Sequence, residues 1–268
     1  MDKGSVVGVF VALGGILLGL ALEGGKIGQI LQPTAALIVM GGTLGAVMLQ
    51  FPLPVVIAAF ASLAQVFFER GTDPLDVVKE MVVYAQKARK GGIVSLDSEL
   101  SKIQEPFLKK TLMLAVDGSE PAEVRSIMEM ELDNRAERDE NLSKVFESAG
   151  GFSPTIGIIG AVLGLIPVMQ HLDNISEVGR GIAVAFVATI YGVGAANLFF
   201  LPVSGKLKIR CRDEQLRHEI VLEGMVSILE GMNPRVLETK LLGFISESQQ
   251  KPKAEKSAEK KTARAFQS

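Results

Sequence analysis

The stretch Gly181-Ile-Ala-Val-Ala-Phe-Val-Ala-Thr-Ile-Tyr-Gly-Val-Gly-Ala-Ala-Asn-Leu-Phe-Phe-Leu-Pro-Val-Ser-Gly205 contains no Asp, Glu, Lys, Arg or His. At a rise of about 1.5 Å per residue, roughly 20 apolar residues in a helix cross a hydrocarbon core about 30 Å thick, and this segment is long enough to do so. Three further stretches share the property: Gly4 to Leu22, Ile27 to Phe68 and Ser148 to Gln170. The chain therefore reads as an all-α membrane protein with four transmembrane helices. Because these spans lack any carboxylate or histidine, a chain of this kind that moved ions would need its titratable group from elsewhere.

The longest stretch has to be divided. Pro33 suits a helix start and Pro52 and Pro54 a helix stop, so one span is predicted from Pro33 to Phe51. Val55 to Phe68 then continues as an apolar helix leaving the membrane or lying on its face. Of 28 Lys and Arg, only Lys26 and Arg180 fall in the short connections Glu23 to Gln32 and His171 to Arg180. The positive-inside rule thus puts both termini and the large middle segment in the cytoplasm, and makes the span count even. The apolar run at the N-terminus ends at Glu23-Gly-Gly-Lys26 without a small-residue cleavage site and is followed at once by a second span, so it reads as a retained first helix. The single cysteine, Cys211, excludes an internal disulfide framework and fits a reducing compartment.

The cytoplasmic parts read as helices. Asp73-Pro74 looks like an N-cap followed by N1, with Val77, Val78, Met81, Val82, Ala85 and Ala88 at helical spacing and Gly91-Gly92 as the stop. Ser119-Glu120-Pro121 opens a second helix expected to run to Ser148, and apolar residues from Leu207 through Cys211, Leu216, Ile220, Met225 and Ile228 continue a third. The expected organisation is transmembrane helices 1 and 2 in residues 1–54, a cytoplasmic helical domain in 55–148, and transmembrane helices 3 and 4 in 149–205. Cytoplasmic helices follow in 206–246, and a disordered tail in 247–268, whose only large apolar residue is Phe266. No phosphate-binding loop, His-Glu-x-x-His or Cys/His cluster is present, and His171 and His218 are solitary, so neither enzyme chemistry nor a metal or cofactor is expected. Small residues four apart, such as Gly160 and Gly164, or Ala188, Gly192 and Ala196, suit close helix packing.

Three segments carry more specific information: Ser153-Pro-Thr-Ile-Gly-Ile-Ile-Gly-Ala-Val-Leu-Gly-Leu-Ile166, Ala188-Thr-Ile-Tyr-Gly-Val-Gly-Ala-Ala-Asn-Leu-Phe-Phe-Leu-Pro202 and Gly231-Met-Asn-Pro-Arg-Val-Leu-Glu-Thr-Lys-Leu241. Together with Ala88-Arg-Lys-Gly-Gly-Ile-Val-Ser-Leu-Asp97 in the middle segment, they resemble the flagellar motor stator A subunit (the MotA/PomA/MotP family), over nearly the whole chain. The resemblance implies a bacterial inner-membrane protein that forms a homo-oligomer, a pentamer, around a stator B subunit. That partner would carry a membrane Asp and a peptidoglycan-binding domain, and the complex would drive the flagellar rotor switch complex by ion flow. Residue by residue, it implies that Pro154 and Pro202 couple ion binding to movement and that Thr189 faces the ion path. It also implies that Arg89, Lys90 and Asp97 act on the rotor. Glu99 adjoins Ser98, where some members carry an acid, and joins the rotor-contact set.

Counted from Pro202 and Phe152, Thr189 and Ala161 lie at depths of roughly 20 and 14 Å, so both approach mid-bilayer. In sodium-driven members the position of Ala161 commonly carries threonine. Alanine offers no ligand, which favours protons as the transported ion, with sodium as the alternative. Two other readings are an energiser of the ExbB/TolQ type, which typically has three membrane helices, and a membrane scaffold without ion flux. Since no span carries a titratable relay, proteoliposomes holding this chain alone should show no ion flux above background. Robust flux there would show that the chain conducts unaided.

Overall fold

The computed structural model describes residues 3–67 and 72–245, which contain helices and turns but no strand. The helices are α1 (Lys3–Leu22), the short α2 (Ile27–Ile30), α3 (Pro33–Gln50), α4 (Leu53–Phe67) and α5 (Pro74–Gly91). A 3₁₀ turn (Ile93–Leu96) leads to α6 (Asp97–Leu100), α7 (Pro106–Val116), α8 (Pro121–Gln170) and α9 (Ile175–Ala195). A π turn (Ala196–Phe200), α10 (Leu201–Leu229) and α11 (Pro234–Leu242) complete the elements of the described residues. Among the described residues four helical stretches are long and apolar enough to cross a membrane: Gly4–Leu22, Pro33–Gln50, Pro121–Gln170 and Ile175–Leu229. The tail expected to be disordered lies outside the described residues.

Local chemistry explains the helix starts. Pro74, Pro106 and Pro234 each occupy the first turn, where a missing N–H costs no hydrogen bond, and each follows an acid or amide that caps the helix. Asp73 accepts from the Leu75 N–H at 3.2 Å, Glu105 from Phe107 at 2.9 Å, and Asn233 from Arg235 at 3.0 Å. These bonds satisfy donors that helix geometry otherwise leaves orphaned. Gly92, with φ +77°, ends α5 in the left-handed region where a Cβ would be strained.

The structure departs from the sequence expectation in continuity. Instead of stopping at Ser148, α8 runs unbroken for 50 residues through both Pro154 and Pro167. A proline removes one backbone bond and weakens the turn, but beside Pro154 the contacts of Ser153 and Gly157 with Gly192 support the helix. Helix α4 packs along one face: Val56, Ala59 and Val66 are buried with Val145, Phe146 and Ala149 of α8 and Val203 and Leu207 of α10. Phe60 meets Phe146 edge-on at 5.6 Å.

Two compact units are formed, Met1–Arg70 with Glu137–Cys211 and Gly71–Ala136 with Arg212–Ser268. In the first, the end of α8 and residues 181–192 of α9 lie antiparallel with their backbones in close approach. A Cβ at Gly192 would come within 2.6 Å of the Ser153 carbonyl oxygen and 2.9 Å of the Gly157 Cα. Gly160 faces the Ala188 methyl, Gly164 the Ala185 backbone, and Gly181 the Val168 side chain. Helix α3 joins this seam through Ala35 and Val39, buried with Val187 and Ala188. Tyr191 fastens the irregular α2–α3 junction by donating to the Ile30 carbonyl at 2.6 Å and accepting from the Gln32 N–H at 3.3 Å. By contrast, α1 leaves Phe10, Val11, Leu18 and Leu22 exposed, as expected of a helix that is apolar all round.

The second unit is a helical bundle around Met81, Leu96, Phe107, Leu112, Met128, Ile220, Met225, Leu237 and Leu241. Gly224 admits Met81, which would lie 2.8 Å from an added Cβ. The seam of the first unit yields a direct comparison, since Gly194 has open space where Gly192 has none. Gly192→Ala should lower the thermal stability of the detergent-solubilised protein by about 1–3 kcal/mol, the usual cost of overpacking, whereas Gly194→Ala should leave it nearly unchanged.

Candidate functional site

The seam determines where the polar groups of the spans can stand. Because Gly160 packs against Ala188, the next residue of each helix, Ala161 and Thr189, falls within about 3 Å of a common level, and both are half-buried. The Thr189 hydroxyl donates to the Ala185 carbonyl one turn back at 3.2 Å. This is the usual bond of a threonine within a helix, and the hydroxyl oxygen keeps lone pairs able to accept.

The two prolines sit in different local structures. Pro154 lies within regular α8, where the missing N–H leaves the Gly150 carbonyl without its usual i+4 donor. Pro202 likewise deprives the Leu198 carbonyl. There the chain widens into the π turn, in which the Leu201 N–H reaches the Ala196 carbonyl five residues back. Ser153 links these regions: its buried hydroxyl donates at 3.0 Å to the Gly192 carbonyl, which also receives the Ala196 N–H at the entrance to the wide turn. The hydroxyl-rich spelling Ser153-Pro-Thr155 was the available sequence signal for this contact, but its partner 39 residues away was not.

A second set of candidates gathers where α5 ends. Arg89 and Lys90 occupy its last turn, where cations favour the negative helix end, and both are exposed. Asp97 is exposed at the start of α6. None of these three makes an ion pair among the described residues. Glu99 differs. Its carboxylate accepts from Lys87 at 2.7 Å and from Lys102 at 3.2 Å, and its side chain is only 14% exposed. The two ammonium groups, Lys87 foremost, hold this carboxyl below the usual glutamate range. Glu99 therefore braces the turn between α5 and α6 from within, whereas Arg89, Lys90 and Asp97 are left to face outward.

Other charges in this unit serve the bundle. Burial works to raise the Glu223 carboxyl, but Lys240 and Arg125 outweigh it and hold it below the ordinary range. Arg125 reaches Glu223 at 2.8 Å, and Lys240 also donates to the Ser227 hydroxyl at 3.1 Å. His218 is buried in a stack with Phe107, ring centroids 4.4 Å apart, with Nε2 at 3.4 Å from Glu105 Oε1. Among the described residues no group of three or more His, Cys, Asp or Glu comes together as a metal site.

Residues 6–92 match the model of the Motility protein A N-terminal family, and residues 99–220 that of the MotA/TolQ/ExbB proton channel family. Motility protein A of Bacillus subtilis (strain 168) is 34% identical over 247 residues, covering 91% of each chain. This chain belongs to the motility protein A family. Chemotaxis protein PomA of Vibrio alginolyticus is 30% identical over 247 residues, covering 92% of this chain and 96% of that one. The MotAB structure from C. jejuni shares 32% identity and a TM-score of 0.88, covering 94% of this chain and 98% of its counterpart.

Family membership makes the chain a torque-generating stator subunit in a membrane, and not an enzyme. The match at residues 6–92 separates it from the ExbB/TolQ-type reading, since that model describes motility proteins specifically. The brace at Glu99 gives a pH test with a definite sign. A carboxyl depressed in the folded state contributes its interaction above the unfolded value and loses it as pH falls through the folded one. The Glu99 carboxyl carbon should therefore lose its ionised NMR shift at lower pH than the carboxyl of an ordinary exposed glutamate. Glu99→Gln should speed amide exchange across residues 93–102 while leaving that of α8 unchanged.

Proposed function

We propose that the chain works as the A subunit of a proton-driven flagellar stator in the bacterial inner membrane, with both termini in the cytoplasm. The observation that supports this most directly is the combination of family membership with four apolar stretches free of ionisable side chains. The ion-binding carboxylate must then come from a second subunit, in keeping with solved relatives that are MotAB complexes, including the flagellar MotAB stator complex from Bacillus subtilis. In this reading several copies surround a B subunit whose membrane Asp takes up the ion. Thr189 offers a hydroxyl oxygen towards the path, and Ala161 at the same level offers none. One hydroxyl suits a proton, which needs a carboxylate and a hydrogen-bonded route, better than a partly dehydrated sodium ion.

Movement on protonation is assigned to the two weakened turns at Pro154 and Pro202, joined through Ser153 and Gly192. Torque is passed on by Arg89, Lys90 and Asp97, whose exposed charges suit repeated making and breaking, because a solvent-exposed pair contributes only about 0–1 kcal/mol. Glu99 acts behind them through Lys87. The experiment is rescue of swimming in a stator-null cell expressing this chain with its B partner. Speed should track proton motive force and survive removal of sodium. Arg89→Glu should impair swimming while leaving membrane insertion and assembly intact, with recovery when an acidic rotor residue is reversed. Rotation that stops without sodium at constant proton motive force would overturn the proton assignment, and normal swimming with Arg89→Glu would overturn the rotor contact.

A further inference from the structure

Beside Arg89 the second unit carries a groove that none of the roles above uses. Its walls are Ala85 and Ala88 from the end of α5, Ile93 from the 3₁₀ turn, and Ile228 and Met232 from the end of α10 and the turn after it, with Arg89 at the rim. The Gly231-Met-Asn-Pro segment builds the second wall. Gly231, at φ +76°, reverses the chain, and the Gly231 and Met232 N–H groups bond the Ile228 and Ser227 carbonyls, both at 3.0 Å. Asn233 then caps α11, and buried Pro234, Leu237 and Leu241 anchor that helix in the bundle. Met232 is thereby held half-buried over the groove, its thioether able to adapt to an apolar visitor. Just outside, Val94 is 66% exposed, a large apolar side chain between the unpaired charges at Arg89 and Asp97.

Resting on the rotor-contact reading, we propose that this groove seats an aliphatic side chain of the rotor, presented beside a carboxylate that pairs with Arg89. Aliphatic walls select the apolar group, and the unpaired guanidinium at the rim selects its acidic neighbour. The same charge disfavours the chain's own tail as occupant, since residues 247–268 hold six Lys and Arg against three Glu. A charge pair alone would set attraction without register. An apolar group held in a defined recess adds a fixed point through which lateral force is transmitted, and the Gly-Met-Asn-Pro segment gains a reason for its rigid construction.

The test uses the full chain with its B partner in stator-null cells, with p-benzoylphenylalanine at Val94 as the crosslinking probe. Irradiation should join it to a rotor switch protein identified by mass spectrometry. Ala88→Leu, which fills the groove, should reduce both that crosslink and swim-ring expansion several-fold. Val83→Leu, on an exposed position of α5, should change neither. Should Ala88→Leu fail to co-purify with the B subunit, Met232→Ala, which removes one wall, is read instead and should weaken the crosslink likewise. The groove assignment falls if crosslink and swimming survive the filled or opened groove while Arg89→Glu abolishes them, and the rotor reading itself then stands. It falls equally if the probe captures only the chain's own tail, only a second copy, or nothing. If Arg89→Glu affects neither readout, it is the rotor reading that fails.

Discussion

Contact between the backbones of α8 and α9 is the constraint on which the first unit depends. In a bilayer, hydrocarbon surrounds the helices as readily as it fills the space between them, so apolar burial drives association weakly and close fit must supply the attraction. Gly157, Gly160 and Gly164 on one side and Gly181, Ala185, Ala188 and Gly192 on the other provide that fit. The close approach fixes the relative level of the helices and thus aligns Ala161 with Thr189. It also brings the Ser153 hydroxyl to a carbonyl of the opposite helix. The third membrane-length helix, α3, packs on the same seam and is steadied at its irregular start by Tyr191.

The second unit solves a different problem, that of keeping a few charges available on a strongly charged bundle. Glu131 is engaged by Lys110 and Arg135, Glu223 by Arg125 and Lys240, and Glu99 by Lys87 and Lys102. In each case two cations compensate one partly buried acid, which limits the desolvation cost of placing it there. What remains unpaired at the end of α5 is a small group with both signs, close in sequence yet prevented from collapsing on itself by the intervening turn.

The membrane-length helices and the helix starts at Pro33, Pro74 and Pro121 were legible in the sequence because their causes are local. An uncharged run of sufficient length and an acid or amide before proline act within a few residues of where they are written. Continuity through Pro154 was not legible, since whether a weakened turn breaks depends on packing contributed by distant residues. The same holds for Glu99, which resembles its exposed neighbours until folding brings Lys87 from 12 residues away. For the candidate site, residue identities could be assigned through family resemblance. Bonding states could not: the hydroxyls at Ser153 and Thr155 are visible in the sequence but the Gly192 carbonyl 39 residues away is not, and the groove built by Met232 leaves no periodic or compositional trace.

The wide turn at Ala196–Phe200 can be regarded as a dislocation in an otherwise regular screw. It accommodates one residue more than an α-turn would, and each helical residue advances about 100°, so the chain beyond it is re-phased relative to a continuous helix. Such a surplus residue can migrate by exchanging one backbone hydrogen bond for the next, without melting the helix. Pro202, which has no N–H to donate, bars the exchange on its own side and leaves the direction of Gly192 open. On that open side the Gly192 carbonyl already carries the Ser153 hydroxyl of the opposite helix, so the surplus residue and the helix seam share one hydrogen-bond acceptor.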